Sequence, residues 1–399
     1  MSATTAERPV TERVADEPEN PLANLTPEQL EQIGREFDAI HDEVYADLGD
    51  RDARYIRSTI KLHRHLVLAS RLLLMGSRKR PLWLAGTTAL SLAKILENME
   101  IGHNVMHGQW DWMNDPDINS QNWDWDTASP ADAWRHSHNY EHHTFTNIRG
   151  KDRDLGYEIM RIDPHQKWHP VYLLQPFYNL LLMGFFEWGV AVHDLNHGAI
   201  HSGEKSKEQV LEELKAIGVK ARDQVVKDYA AFPALAALAT LASSRGSAKD
   251  SRSAFKSTLA ANFTANIVRN MWAYSIIFCG HFPDQTYTFS EEEVADETRG
   301  GFYVRQLLGS ANIDGSPIFH LLAGNLSFQV EHHLFPDMPS SRYAEIAPRV
   351  RDICRRYGLP YNTGPLHKQL GTVHRTILRL AFPGGKQRPK PGPYRPSEV

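Results

Sequence analysis

The chain has 399 residues, and 44 Lys and Arg against 48 Asp and Glu give a formal net charge of -4 at pH 7. This balance, without a long basic run, argues against a nucleic-acid partner. The two cysteines, Cys279 and Cys354, lie too far apart in sequence for a disulfide framework or a cysteine metal site. Histidine is unusually frequent, with 20 residues, and there are 9 tryptophans. The composition therefore directs attention to imidazole chemistry.

The two ends of the chain differ from its middle. Residues 1–24 are polar, rich in Pro, Glu and Thr, contain no apolar stretch typical of a secretory signal, and are predicted to be disordered. Residues 383–399, rich in Pro, Gly and Lys, are predicted to be a second disordered tail. Residues 25–382 are predicted to form one domain. Its first helix should begin at a capping box made by Thr26 and Gln29.

Four apolar segments raise the question of a membrane. The mean hydropathy of -0.45 is typical of a soluble protein, but an average over polar segments can hide short apolar ones. Val171–Val192 is the best spanning candidate, and Ala260–Phe282 is long enough but carries an arginine. Leu82–Leu96 and Phe232–Ala242 are shorter. Together they predict about four tilted transmembrane helices with polar interiors.

Charged stretches lie between these apolar segments. Glu204–Lys227 has the apolar spacing of an amphipathic helix, and Ser243–Ser253 is a polar linker rich in Ser, Lys and Arg. Lys and Arg near the ends of apolar segments predict that these loops face the cytoplasm.

Three histidine clusters stand out. They are His103-Asn-Val-Met-His107, His138-Asn-Tyr-Glu-His142-His143 and Gln329-Val-Glu-His332-His333. Histidines four residues apart share one face of a helix, so each pair can bind one metal. About one His-x3-His pair is expected by chance at this histidine content, but the doubled ends of the second and third clusters are expected only about 0.05 and 0.03 times. The clusters predict a site for iron, copper, zinc or nickel.

Two further groups of histidine need an interpretation. His281 ends an apolar run at the depth where the clusters would gather, and it is predicted to be another ligand. His193-Asp-Leu-Asn-His197, extended by His201, has the same four-residue spacing. A polar face where an apolar helix leaves the membrane is favoured over a metal role for this group.

The three clusters, in this order and separated by apolar segments, resemble the histidine boxes of the membrane fatty acid desaturase family. The resemblance runs from about Glu97 to Pro336, and Thr146-Asn147 and Leu334-Phe-Pro336 add to it. The stretch Glu97–Pro116 and the runs around His281 and Asn312 are similar to actinobacterial stearoyl-CoA 9-desaturases in particular.

The resemblance implies an all-α polytopic membrane protein with about four transmembrane helices and a cytosolic helical cap that carries the boxes. It implies a di-iron centre in the cell membrane that faces the cytoplasm and uses O2 to introduce a cis double bond at carbon 9 of a long-chain acyl-CoA. No catalytic residues beyond the metal ligands are predicted. The implied ligands are His103, His107, His138, His142, His143, His281, His332 and His333, together with Gln329, which stands where many relatives have histidine. Some relatives have an Asn that anchors a metal-bound water where this chain has Ile277.

Residues for the substrate are predicted from residue type and position. An acyl chain needs a buried apolar tunnel, and tryptophans around the first two boxes suit its walls, although interfacial anchoring is an equally good interpretation. Basic residues near the second box suit the phosphates of CoA, although a solvated charge run is the simpler reading. These candidates are Trp110 and Trp112, with Trp123, Trp125 and Trp134 behind them, and Arg149, Lys151 and Arg153.

Electrons must come from outside, because the chain has no paired-cysteine iron–sulfur motif and no G-x-G-x-x-G motif. An external reductase or ferredoxin-type donor is therefore predicted. A membrane di-iron lipid hydroxylase or ketolase remains the main alternative. A soluble di-iron carboxylate desaturase needs two Glu-x2-His motifs, and only Glu100 to His103 fits. A zinc hydrolase motif is absent, and a metal- or haem-carrying membrane protein is the non-enzymatic alternative.

Overall fold

The computed structural model describes residues 20–243 and 247–395, so both predicted tails lie partly outside the described residues. Pro21–Asn24, at the end of the predicted N-terminal tail, forms one turn of 3-10 helix. The described part of the C-terminal tail lies against the domain, where the Arg388 guanidinium donates to the Asp284 carboxylate at 2.6 and 2.8 Å.

The described residues are mostly helical, as predicted, and their two strands have three residues each. β1 (Asn312–Asp314) pairs in parallel with β2 (Thr363–Pro365). The helices are α1 (Pro27–Ala46), α2 (Asp50–Met75), α3 (Arg80–Ile95), α4 (Asn104–Met106), α5 (Ala131–Trp134), α6 (His143–Phe145), α7 (Gln175–Gly184), α8 (Phe186–His193), α9 (His197–Ser202), α10 (Lys207–Val225), α11 (Phe232–Ser243), α12 (Ala248–His281), α13 (Arg299–Leu308), α14 (Pro317–Leu322), α15 (Gln329–Leu334), α16 (Tyr343–Tyr357) and α17 (Leu366–Leu380). Three π-helical segments interrupt them, at Leu96–His103, Arg135–His142 and Val226–Ala231.

One half of the molecule is a helical cap built on α1, α13, α15 and α16. The predicted capping box is confirmed, since Thr26 accepts from the Gln29 backbone N–H and Gln29 accepts from the Thr26 backbone N–H. The apolar face of α1 is buried, with Phe37 fully enclosed against Tyr303 and Phe335. The third histidine box lies on α15, within this core.

The other half is a bundle in which α2 packs against α3, and α12 packs against both α3 and α11. Leucines on its outer faces are exposed, as Leu72 and Leu238 show. The inner face of α12 is polar, with Asn262, Asn266 and Arg269 buried. An exposed apolar exterior around a polar interior is typical of helices packed in lipid.

The predicted spans differ from the observed helices. Val171–Val192 is not one helix, because a 3-10 turn precedes α7 and the chain breaks at Phe185 before α8. By length and composition, one helix among the described residues could cross a membrane, Lys207–Ser243, in which a π segment joins α10 to α11. The prediction of Phe232–Ala242 as a short piece is therefore wrong, since it is the end of this 37-residue helix.

The same helix bears on the predicted loop positions, which stay a prediction. Glu204–Lys227 and Ser243–Ser253 lie toward opposite ends of the helix Lys207–Ser243. A bilayer crossed by this helix would separate them, so the prediction that both face the cytoplasm does not hold for such a helix.

Candidate metal centre

The three boxes and His281 meet where the bundle joins the cap. The first two boxes lie at the ends of π-helical segments, Leu96–His103 and Arg135–His142, each followed by one short α-helical turn. His281 is the last residue of α12. Single π turns inside helices are frequent at functional sites, because they change the direction of side chains locally.

Two groups of imidazoles form at this junction. The ligand atoms of His103, His107, His138 and His332 all lie within 4.8 Å of one another. Those of His142, His281 and His333 form a second group under the same limit.

His143 lies between the two groups. Its ring centroid is 4.7 Å from that of His107, 4.9 Å from that of His332 and 4.4 Å from that of His333. Neither of its ring nitrogens has a hydrogen-bond partner. His143 therefore lies close enough to both groups to contribute a metal ligand to either one.

Gln329 belongs to the second group by contact. Its Nε2 lies 3.0 Å from His281 Nε2, and its Oε1 is buried without a hydrogen-bond partner. The absence of a side chain at Gly280 makes room for it, because a Cβ there would lie 2.8 Å from the Cγ and Cδ of Gln329.

A set of polar groups holds the histidines through Nδ1. Asp152 Oδ1 lies 3.0 Å from His142 Nδ1, and Asp154 Oδ2 lies 3.3 Å from His138 Nδ1. Three further Nδ1 atoms have partners, which are the Asn104 Oδ1 for His103, the Tyr343 hydroxyl for His332 and the Gln306 Oε1 for His333, whereas the Nδ1 atoms of His143 and His281 have none. Such contacts fix the tautomer and orientation of metal-binding histidines.

The opposite nitrogens are left for a metal. The Nε2 atoms of His107, His138, His142, His143 and His332 are buried without a hydrogen-bond partner. Burial lowers the pKa of His103 to about 3, and it lowers the pKa values of His107 and His332 well below the ordinary value. Burial therefore favours the neutral form of His103, His107 and His332, and a neutral imidazole with an unpartnered nitrogen is the form that binds a transition metal, so the residues present fit a metal centre.

Asp152 and Asp154 were missed by the sequence analysis. The sequence shows only an Asp-x-Asp motif that begins ten residues after His142. Its contacts with the histidines depend on how the intervening loop folds, which the spacing does not predict. His193 reaches the same network, since its Nε2 lies 2.9 Å from Asp154 Oδ1. Its side chain touches a group that holds His138.

A narrow cavity of about 50 Å³, here called the inner cavity, lies beside His103 and His138. Apolar side chains make much of its wall, and Glu187 and Asn270 also line it. The apolar lining residues are Met99, Trp125, Trp134, Tyr157, Phe186, Val190 and Ile277.

The predicted substrate residues lie in different places. Trp125 and Trp134 line the inner cavity, whereas Trp110 and Trp112 pack in an apolar cluster with Ile56. The basic trio is engaged in separate ion pairs: Arg149 with Asp163 at 3.6 Å, Lys151 with Glu291 at 3.4 Å, and Arg153 with Glu141 at 2.5 Å.

The sequence profile described as fatty acid desaturase matches residues 81–365, which is more than half of the chain. The chain belongs to the fatty acid desaturase family. The resemblance seen in the histidine boxes is thus confirmed, and the desaturase is an oxidoreductase that introduces double bonds into fatty acyl chains.

Individual desaturases are similar to this chain over most of its length. The desaturase is 46% identical over 362 residues to an "NADPH-dependent stearoyl-CoA 9-desaturase" of Mycobacterium tuberculosis, which covers 91% of this chain and 82% of that protein. It is 26% identical over 307 residues to an "sn-1 linoleoyl-lipid 6-desaturase" of Synechocystis, covering 72% and 77%. No solved structure matches the chain.

Proposed function

We propose that this desaturase uses two irons and O2 to introduce a cis double bond at carbon 9 of a long-chain acyl-CoA. The observation that carries the proposal is the pair of adjoining imidazole groups, of which His103 and His138 also line the inner cavity. The mycobacterial relative, named a stearoyl-CoA 9-desaturase and 46% identical, supports the choice of substrate and position.

The two groups divide the ligands. His103, His107, His138 and His332 would hold one iron, and the second group would hold the other, with His143 between them. The second group comprises His142, His281, His333 and Gln329.

Bound iron would supply the oxidising power that an unactivated methylene requires. In balance, one saturated chain, one O2, two electrons and two protons give one unsaturated chain and two water molecules. The residues of this chain position the reactants. Asn104, Asp152 and Tyr343 hold the imidazoles through Nδ1, and the inner cavity, once widened by the substrate, would place methylenes beside His103 and His138.

The environment of the reaction is part of the proposal. We place α2, α3, the helix Lys207–Ser243 and α12 in the cell membrane, because their outer faces expose leucine, valine, methionine and phenylalanine. The cap then faces the cytoplasm, where an external reductase or ferredoxin-type protein delivers electrons. Both cysteines are buried singly, so they provide no electron-transfer pair.

The test is fatty-acid profiling by gas chromatography–mass spectrometry in cells that lack their own 9-desaturase, with a compatible donor co-expressed. We expect a new acid unsaturated at carbon 9, which disappears when His142→Ala and His143→Ala are combined. A hydroxylated product would replace the proposal by the hydroxylase alternative. Purified protein without iron would overturn the di-iron centre.

A further inference from the structure

A groove on the surface adjoins the inner cavity. It has a volume of about 470 Å³ and runs between Leu195 and the exposed helix α10, beside the loop and turn that precede the second box. Its apolar wall residues are Pro130, Ala133, Leu195, Ala216 and Ile217, and its polar ones are Asp132, His136, Asp194, Lys205, Glu212 and Glu213. We call it the surface groove.

One side chain belongs to the walls of both spaces. Asp194 lines the surface groove and the inner cavity, and only 7% of it is exposed. Its carboxylate accepts from the Ser129 hydroxyl at 2.6 Å and from the Ser137 hydroxyl at 2.7 Å. Asp194 and its two hydrogen bonds therefore lie where the walls of the two spaces meet.

We propose that the surface groove admits the acyl chain and that Asp194, with Ser129 and Ser137, forms a latch that opens to let the chain reach the inner cavity. The inference rests on the proposed function, since it assigns the path of an acyl thioester. The apolar part of the groove wall suits methylenes. The latch connects the segment before His138 with the end of α8. Opening it moves these two segments apart and requires no change in the backbone of either one.

The wall formed by α10 is suited to movement. α10 is largely exposed, and Lys205 ties the chain just before it to the opposite wall by donating to the Leu195 carbonyl at 2.9 Å, while pairing with Glu213 at 2.7 Å. Hydrogen-bonded loops and helix ends of this kind open on the timescale of substrate binding.

Cysteine labelling tests the path without catalysis. The native Cys279 and Cys354 are both buried, so a single introduced cysteine can be labelled selectively by a maleimide. We would compare Ala216→Cys in the groove, Thr127→Cys in the inner cavity and, as control, Leu211→Cys, which is 68% exposed on α10. The full-length, iron-loaded protein is used with stearoyl-CoA and without reductant, so that no turnover occurs.

We expect stearoyl-CoA at ten times its Kd to slow labelling of both Ala216→Cys and Thr127→Cys about tenfold, because a bound chain covers them. Labelling of Leu211→Cys should not change. Protection of Thr127→Cys without protection of Ala216→Cys would overturn the groove as the path and leave the proposed function intact. Protection at neither site would overturn acyl-CoA binding itself.

The latch has its own readout. Ser129→Ala with Ser137→Ala, added to Thr127→Cys, should speed labelling of the inner cysteine about tenfold, since the open state becomes more populated. Ser129→Ala alone serves if the double variant does not fold, because Ser129 lies outside the second box. An unchanged labelling rate in a folded variant would overturn the latch.

Discussion

At the scale of single residues, the candidate centre depends on groups behind the histidines as much as on the histidines. Asp152 is the clearest example, because it is buried and accepts from several donors at once. His142 Nδ1 lies 3.0 Å from one of its oxygens, and the Asn147 backbone N–H donates to the other at 2.7 Å. One carboxylate thus fixes both a histidine and the loop that follows the second box.

We predict that Asp152→Asn weakens iron binding by about 10- to 100-fold, the range found when such outer partners are changed. The amide keeps the size of the carboxylate but removes its charge and one acceptor. Iron content after competition with a chelator, measured by inductively coupled plasma mass spectrometry, provides the readout. Asp132→Asn, at a position 95% exposed, is the matched control. Equal iron retention in both variants would contradict the role of Asp152.

Gly280 offers a second test at this scale. In the Gly280→Ala variant the new methyl group would lie 2.8 Å from Gln329, so Gln329 must move away from His281. We expect reduced iron content and reduced desaturation in a protein that still folds. Gly218→Ala on α10, where a Cβ meets nothing within 4 Å, should bind iron normally. Full iron loading of the Gly280→Ala protein would show that Gln329 does not matter for the metal.

The sequence predicted the histidines but not their supports, and the reason is physical. His138 and His142 are four residues apart, and this spacing alone predicts that they share one face of a helix. Tyr343 and Gln306 reach His332 and His333 from other elements, and their role follows from packing that no local spacing encodes.

At the scale of elements, the sequence identified helices but not their limits. The predicted span Ala260–Phe282 lies within α12, yet α12 begins at Ala248, where the Ser247 side chain accepts from the Asp250 backbone N–H and caps the helix. In the sequence, Arg269 counts against a membrane span, because it is charged. In the structure it is buried and paired with Glu187 of α8. A charged residue in an apolar segment is tolerated when its partner comes from another helix, and the partner cannot be read from the segment itself.

The pair gives a prediction for stability. Arg269→Met leaves the buried Glu187 carboxylate without its partner, and loss of one partner of a buried pair typically costs about 3–5 kcal/mol. The double variant Glu187→Leu with Arg269→Met should recover much of this loss, because neither charge remains. Thermal unfolding in detergent would measure both. Equal destabilisation by the single and double variants would show that the pair is not what joins α8 to α12.

At the scale of the whole molecule, the helix Lys207–Ser243 fixes which parts of the chain share a side. Its 37 residues span about 55 Å at 1.5 Å per residue, longer than the roughly 30 Å apolar core of a bilayer. The cap and the histidines lie toward its Lys207 end, and the start of α12 lies beyond its Ser243 end.

We therefore predict opposite labelling of two exposed lysine positions. In intact cells, a maleimide that cannot cross membranes should label Lys249→Cys and leave Lys207→Cys unlabelled, while lysed cells allow both to react. The buried native cysteines keep the background low. Labelling of Lys207→Cys in intact cells would reverse the proposed orientation, and labelling of both would exclude a membrane crossing between them.

The π-helical segments before His103 and His142 have a consequence for how this protein can change. Each such segment holds more residues per turn than an α-helix, so the centre is encoded partly in the number of residues and not only in their identity. Deleting one residue, such as Ile101, would let Leu96–His103 relax to an α-helix and so remove the wider turn that sets the direction of the side chains within this segment. The protein should tolerate many replacements in these segments more readily than the loss of a single residue.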